Sequence, residues 1–224
     1  MVGGSDREGG GDGPVVVLLH GFGAGGDDLV SLWRVLRVPR ATRFVFPEGG
    51  LALPEYGPAA RAWWSIDMRA RAEGRDRTRE VPEGLDAARG AIEGLLDQIG
   101  ERLAVSDRRI VVGGFSQGAM LSCDVALRSG RGFAGLVLLS GTLLAGDVWG
   151  PRMARLRTLP IFQSHGRQDP ILPFEGGVQL REAWVSAGCQ VEWTEFNGGH
   201  EIPSGVLERL GPFLTRALDE AAEP

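Results

Sequence analysis

The sequence predicts an α/β domain with a mostly parallel central sheet and helices on both faces, and three observations predict it. Short apolar runs such as Val15–Leu19 and Gly135–Leu139 are unbroken rather than alternating, which suits strands buried on both faces. These runs alternate along the chain with amphipathic stretches whose apolar residues recur every three or four positions. Between an apolar run and a helix-compatible run lies Gly114-Phe115-Ser116-Gln117-Gly118, a sharp strand-to-helix turn. At 224 residues the chain can bury a core without disulfides or metals. No repeat or second domain is visible. The expected organisation is a flexible Gly- and Asp-rich tail over residues 1–13 and one domain over 14–224.

Taken in order, the first strand ends in His20-Gly21-Phe22-Gly23-Ala24-Gly25-Gly26, and Asp27-Asp28 opens a helix expected to reach about Leu36. Those glycines match G-x-G-x-x-G, with Glu48 after the next strand, so a dinucleotide loop competes with a loop that donates an N–H to an oxyanion. The second reading is preferred, because a nucleotide motif leaves the serine turn downstream unexplained. Phe44, Val45 and Phe46 form a second strand. Residues 47–80 show no periodicity and contain Trp63 and Trp64, which need an apolar home. Residues 69–80 are a mixed charge run expected on the surface. Leu85, Ala88, Ile92, Leu95, Leu96 and Ile99 mark a long helix within 82–103. After the serine turn come strands at 135–140 and 159–165, a helix over 175–187, a strand over 190–196 and a final helix over about 203–220.

Bulk composition excludes several functions. Net charge is −5 and lysine is absent, so no basic field attracts nucleic acid. No apolar run approaches the ~18 residues that a membrane span needs. Cys123 and Cys189 lack C-x-x-C or metal-ligand spacing and are expected as buried free thiols. With no apolar signal segment at the N-terminus, they suggest a cytoplasmic setting. No metal and no cofactor are expected.

The serine turn carries the chemistry. Gly114-x-Ser116-x-Gly118 places a hydroxyl on a strained turn above a helix N-terminus. A serine hydroxyl needs a base, and the base needs a carboxylate to fix its tautomer. Three histidines compete, and all follow strands: His20, His165 and His200. His200 follows Asn197-Gly198-Gly199 on a loop free to present both ring nitrogens. Asp169, in a turn closed by Pro170, is placed to point back at it. Ser116, Asp169 and His200 then stand in the chain order of an α/β-hydrolase. His165 is read as a strand-end residue satisfying local backbone groups, and His20 as shaping the glycine loop. Asp147 is the competing acid. Glu195 and Glu201 flank His200 too closely to reach its ring.

His20-Gly21-Phe22-Gly23 with Asp27-Asp28, Gly114-Phe115-Ser116-Gln117-Gly118-Ala119-Met120, His165-Gly166-x-x-Asp169-Pro170 with Pro173, and Gly199-His200-Glu201 together resemble the phospholipase/carboxylesterase family. The resemblance runs from about Pro14 to Leu218. It implies the α/β-hydrolase fold without a large cap domain, with Ser116 as nucleophile, Asp169 as acid and His200 as base. It assigns the oxyanion hole to the N–H groups of Phe22 and Gln117, and it sets Trp63, Trp64 and Met120 beside the substrate. The implied activity is carboxylesterase action on short- to medium-chain acyl esters through an acyl-enzyme. Lysophospholipase or acyl-(protein) thioesterase action by the same triad is the alternative, and a non-catalytic ligand-binding member of the fold is the reading from another class. The implied partner is a small-molecule acyl ester, and a homodimer is compatible with it.

Overall fold

The computed structural model describes residues 13–66 and 78–220. The tail expected over 1–13, apart from Gly13, and most of the charge run at 69–80 lie outside the described residues. Gly13 itself is buried, and its carbonyl accepts a hydrogen bond from Arg43 Nε at 3.1 Å.

Six parallel strands form the central sheet: β1 (Val15–Leu19), β2 (Arg43–Val45), β5 (Ile110–Phe115), β6 (Gly135–Leu139), β7 (Ile161–Gly166) and β8 (Val191–Phe196). Their order across the sheet is β2-β1-β5-β6-β7-β8. A separate antiparallel pair, β3 (Leu51–Ala52) and β4 (Arg61–Ala62), lies between β2 and the first long helix in the chain. The described helices are α1 (Leu32–Val35), α2 (Leu85–Leu103), α3 (Gln117–Arg128), α4 (Gly146–Met153), α5 (Phe174–Ser186) and α6 (Ser204–Glu220).

The pleat sorts the strand side chains onto two faces. Val15, Val17, Leu19, Val112, Leu136, Leu138 and Ile161 pack with α2, α3, α4 and α5. Val16, Leu18, Phe44, Val111, Val137, Leu139 and Phe162 pack with the 29–36 segment and with Val206, Leu210, Phe213 and Leu214 of α6. Both faces are therefore dry, which is why the inner strands read as unbroken apolar runs. Of the six, only β8, at one edge, carries exposed residues, Glu192 and Glu195.

Three segments differ from their sequence readings. The helix expected from Asp27 is four residues long, and three-residue-spaced bonds such as Val30 N to Asp27 O (3.1 Å) precede it. A glycine-rich entry favours such turns over a nucleated α-helix. Residues 51–62 hold a hairpin around a 3-10 turn, Pro54–Tyr56. Its two-residue strands are too short to show a period. Helix α4, absent from the sequence reading, contains Pro151 and buries only Trp149 and Met153.

β1 and β5 are neighbours, yet the chain leaves β1 toward β2 at one edge and leaves β5 toward β6 and the other edge. Where the order reverses, the loops after β1 and β5 diverge and open a crevice at the C-terminal ends of the strands.

Candidate active site

Both loops at that crevice are shaped by close packing. A Cβ on Gly118 would lie 2.1 Å from the carbonyl oxygen of Leu19, and one on Gly114 would lie 2.5 Å from the same atom. Only glycine lets the turn after β5 press against the end of β1. Ser116, between them, has φ 56° and ψ −118°, a conformation most residues avoid. Helix α3 starts at the next residue, so its positive end lies beside the serine.

The turn brings Ser116 to His200. Ser116 Oγ lies 2.8 Å from His200 Nε2, and His200 Nδ1 lies 2.6 Å from Asp169 Oδ2. A carboxylate oxygen accepts, so Nδ1 carries the hydrogen and Nε2 faces the hydroxyl with a free lone pair. The other Asp169 oxygen accepts the backbone N–H groups of Ile171 and Leu172, each at 2.8 Å. Asp169 is thereby fixed from both sides, with its side chain fully buried while His200 keeps 15% exposure. The loops that carry them are joined: Arg167 N donates to Phe196 O and Gln168 N to Gly198 O, both at 2.9 Å. Phe115 supports the His200 ring, with centroids 4.6 Å apart.

Asp147, the competing acid, sits in α4 and pairs with Arg79 at 2.7 Å. Glu195 pairs with Arg167, which holds its carboxyl below the usual range. Glu201 bonds the Gly199 N–H at 3.2 Å.

The loop after β1 forms the other wall. A Cβ on Gly21 would sit 3.3 Å from Ser116 Cβ, so the residue before Phe22 packs directly against the serine turn. His20 Nδ1 lies 2.7 Å from the Gly21 carbonyl and therefore donates, while Nε2 accepts the Gly49 N–H at 2.9 Å. Burial pushes the His20 imidazole below its ordinary pKa. Burial likewise pushes the Asp28 carboxyl up. The nucleotide reading of this loop loses its footing. The long helix whose N-terminus would face a pyrophosphate is missing from it. Gly23 N donates to Arg61 O (2.8 Å) and Ala24 O accepts from Arg61 N (3.0 Å), so the β3–β4 hairpin occupies its backbone groups.

Gln117 is clamped as well as positioned. Its Oε1 accepts from Trp63 N (3.0 Å) and its Nε2 donates to Trp64 O (2.9 Å). Trp63 Nε1 donates to the His20 carbonyl at 2.9 Å, and the two rings lie 5.0 Å apart. Trp63 and Trp64 are buried in the core, as is Met120 on the first turn of α3. Sequence reasoning missed that Phe22 pairs with a second aromatic residue, Tyr56 of the hairpin. Tyr56 is 52% exposed and meets the Phe22 ring edge-on at 5.4 Å. The hairpin that carries Tyr56 left no sequence period to find it by.

Among the described residues, no three His, Cys, Asp or Glu side chains gather as a metal site. None of the described helices is long and apolar enough to cross a membrane. Both cysteines are free and buried, and burial raises the Cys123 thiol well above its ordinary pKa.

Comparison with known proteins yields consistent matches. The model of a family described as phospholipase/carboxylesterase matches residues 9–218. Acyl-protein thioesterase 1 of Kluyveromyces lactis is 29% identical, with 91% of this chain and 92% of that protein covered. A probable feruloyl esterase C of Aspergillus niger is 27% identical over 71% of this chain and 69% of its own. Among solved structures, esterase PE8 superposes with a TM-score of 0.82 at 24% identity, covering 97% of this chain and 99% of that one. The Bacillus cereus carboxylesterase gives 0.76 at 21% identity, covering 97% and 95%. At these identities the structural likenesses speak for the fold.

Proposed function

The chain belongs to the phospholipase/carboxylesterase family, and from that premise we propose that it is a serine carboxylesterase of short- to medium-chain acyl esters. The observation that carries this reading is the continuous Asp169–His200–Ser116 chain, at 2.6 and 2.8 Å, ending on a serine with φ 56°. Ser116 Oγ attacks the acyl carbonyl as His200 Nε2 takes its proton, and Asp169 stabilises the imidazolium. The N–H groups of Phe22 and Gln117 receive the oxyanion, a contribution of roughly 3–4 kcal/mol per donor in hydrolases. His200 then gives its proton to the leaving alcohol, and water releases the acyl-enzyme by the same route. No cofactor enters these steps.

Trp63, Trp64 and Met120 form the floor of the acyl site in this reading. All three are buried, at 8%, 4% and 7% exposure, so they line the site from the core side. The alternative is the same machinery acting on a thioester or a lysophospholipid, and the acyl-protein thioesterase relatives favour it. A cytoplasmic setting, which the two buried free thiols fit, and a homodimer complete the proposal. Sedimentation tests the second.

The deciding measurement is hydrolysis of p-nitrophenyl esters from acetate to palmitate, with Ser116→Ala in parallel. We expect turnover to peak at short or medium chains and kcat to fall by about 10⁴-fold or more in the variant. A peak at palmitate selects the alternative. Equal rates in both proteins would remove Ser116 from the chemistry.

A further inference from the structure

This inference deepens the esterase reading and rests on it. His165, at the end of β7, has a fully buried side chain. Its Nε2 lies 2.8 Å from the carbonyl oxygen of Leu172 and 3.4 Å from Asp169 Oδ2, the oxygen that also holds His200. A carbonyl only accepts, so Nε2 carries the hydrogen. The other nitrogen, Nδ1, is buried without a hydrogen-bond partner among the described residues. All polar attachments of the ring therefore face the Asp169–Leu172 turn.

The ring is also caged. A Cβ on Gly177 would lie 2.4 Å from Nδ1, so α5 packs against the imidazole with no room to spare. Gln163 Nε2 donates to the Gly177 carbonyl at 2.8 Å and pins the helix there. Phe174 meets the ring at 72° with centroids 6.2 Å apart.

We propose that His165 is a positioning residue for Asp169: it locks the turn that carries the carboxylate and shares its Nε2–H with the oxygen facing His200. The same turn supplies the Ile171 and Leu172 N–H groups to the second Asp169 oxygen. Releasing the Leu172 carbonyl loosens both sides of the carboxylate together. His200 then loses its fixed tautomer without any change where the ester binds, so the loss falls on kcat rather than KM.

The test compares His165→Leu, His165→Gln and Gly177→Ala. Each is assayed on p-nitrophenyl acetate, with sites counted by stoichiometric fluorophosphonate labelling of Ser116. For His165→Leu we expect kcat per labelled site to fall roughly tenfold to a hundredfold, as when outer hydrogen-bond partners of a working histidine are removed, with KM unchanged. His165→Gln, which restores an N–H near the Nε2 position, recovers most of the rate. Gly177→Ala, which crowds Nδ1, lowers kcat in the same sense. If His165→Leu does not yield folded protein, the other two variants decide. Unchanged kcat per site in His165→Leu or in Gly177→Ala overturns the proposal, and so does an equal loss in the Leu and Gln variants. If the wild type takes no label at Ser116, the esterase reading itself fails, and this inference with it.

Discussion

His20 shows how a residue outside the Ser116–His200–Asp169 chain is tied to the stability of the site. Its neutral ring uses both nitrogens, donating to Gly21 O and accepting from Gly49 N. Protonation would destroy the second bond in a buried place. Burial lowers the folded pKa below 6.5, outweighing the opposing pull of the Gly21 carbonyl and of the Asp28 and Glu48 charges. The unfolded chain therefore takes up a proton near pH 6.5 that the folded chain refuses. Stability then falls as pH drops below 6.5, by up to about 1.4 kcal/mol per pH unit, until the folded pKa is reached. Urea unfolding of His20→Asn at pH 7, 6 and 5 should show a shallower loss than the wild type. Parallel curves would mean that His20 titrates freely in the fold. At this scale the sequence was legible where chemistry forces residue type and order, as at Ser116, Asp169 and His200. It reached His165 as a residue that satisfies local backbone groups but could not name Leu172, because a carbonyl acceptor can come from any residue.

The elements around the serine turn are held by one buried carboxylate. Asp124, on α3, accepts Trp149 Nε1 from α4 at 2.8 Å and Arg89 Nη1 from α2 at 3.3 Å, and it pairs with Arg128 at 3.3 Å. Arg89 and Arg128 share Asp86 as well, each at 2.7 Å. Asp124→Ala leaves the Trp149 indole N–H without its partner and leaves Arg89 and Arg128 to Asp86 and Glu93 alone, a loss of about 1–3 kcal/mol. Urea denaturation measures it. Asp124→Asn, which keeps one acceptor oxygen, should lose less, and equal losses would assign the effect to packing alone. Element legibility followed the same logic of periodicity. Leu85, Ala88, Ile92, Leu96 and Ile99 announce α2, because one face of a nineteen-residue helix repeats five times. The β3–β4 hairpin is two residues per strand, held by backbone bonds to Arg61 that no side-chain pattern encodes. Gln117 could be read as part of the turn, while its hold on both tryptophans depends on where that hairpin folds back.

Across the whole molecule, the two ends of the sheet do different work. A cavity of about 570 Å³ opens at the N-terminal ends of β7 and β8, lined by residues including Arg157, Thr158, Gln190, Glu192 and Arg216. Its size alone would make it a candidate binding site. The strand direction argues otherwise. Ser116, Asp169 and His200 all follow the C-terminal ends of β5, β7 and β8, while Ile161 and Val191, which line the cavity, begin their strands. The length of the sheet separates the two. The cavity's Arg216 pairs with Glu192, and both side chains are about half exposed, as in an ordinary surface ion pair. Arg216→Ala should therefore leave kcat and KM for p-nitrophenyl acetate unchanged and shift stability by no more than about 1 kcal/mol. Combined with His165→Leu, its small effect on stability should simply add, since the residues share no partner and lie at opposite ends of the sheet. A change in KM for Arg216→Ala, or a non-additive double variant, would show that the two ends communicate through the strands. The crevice at the reversal of strand order would then not be the whole of the working surface.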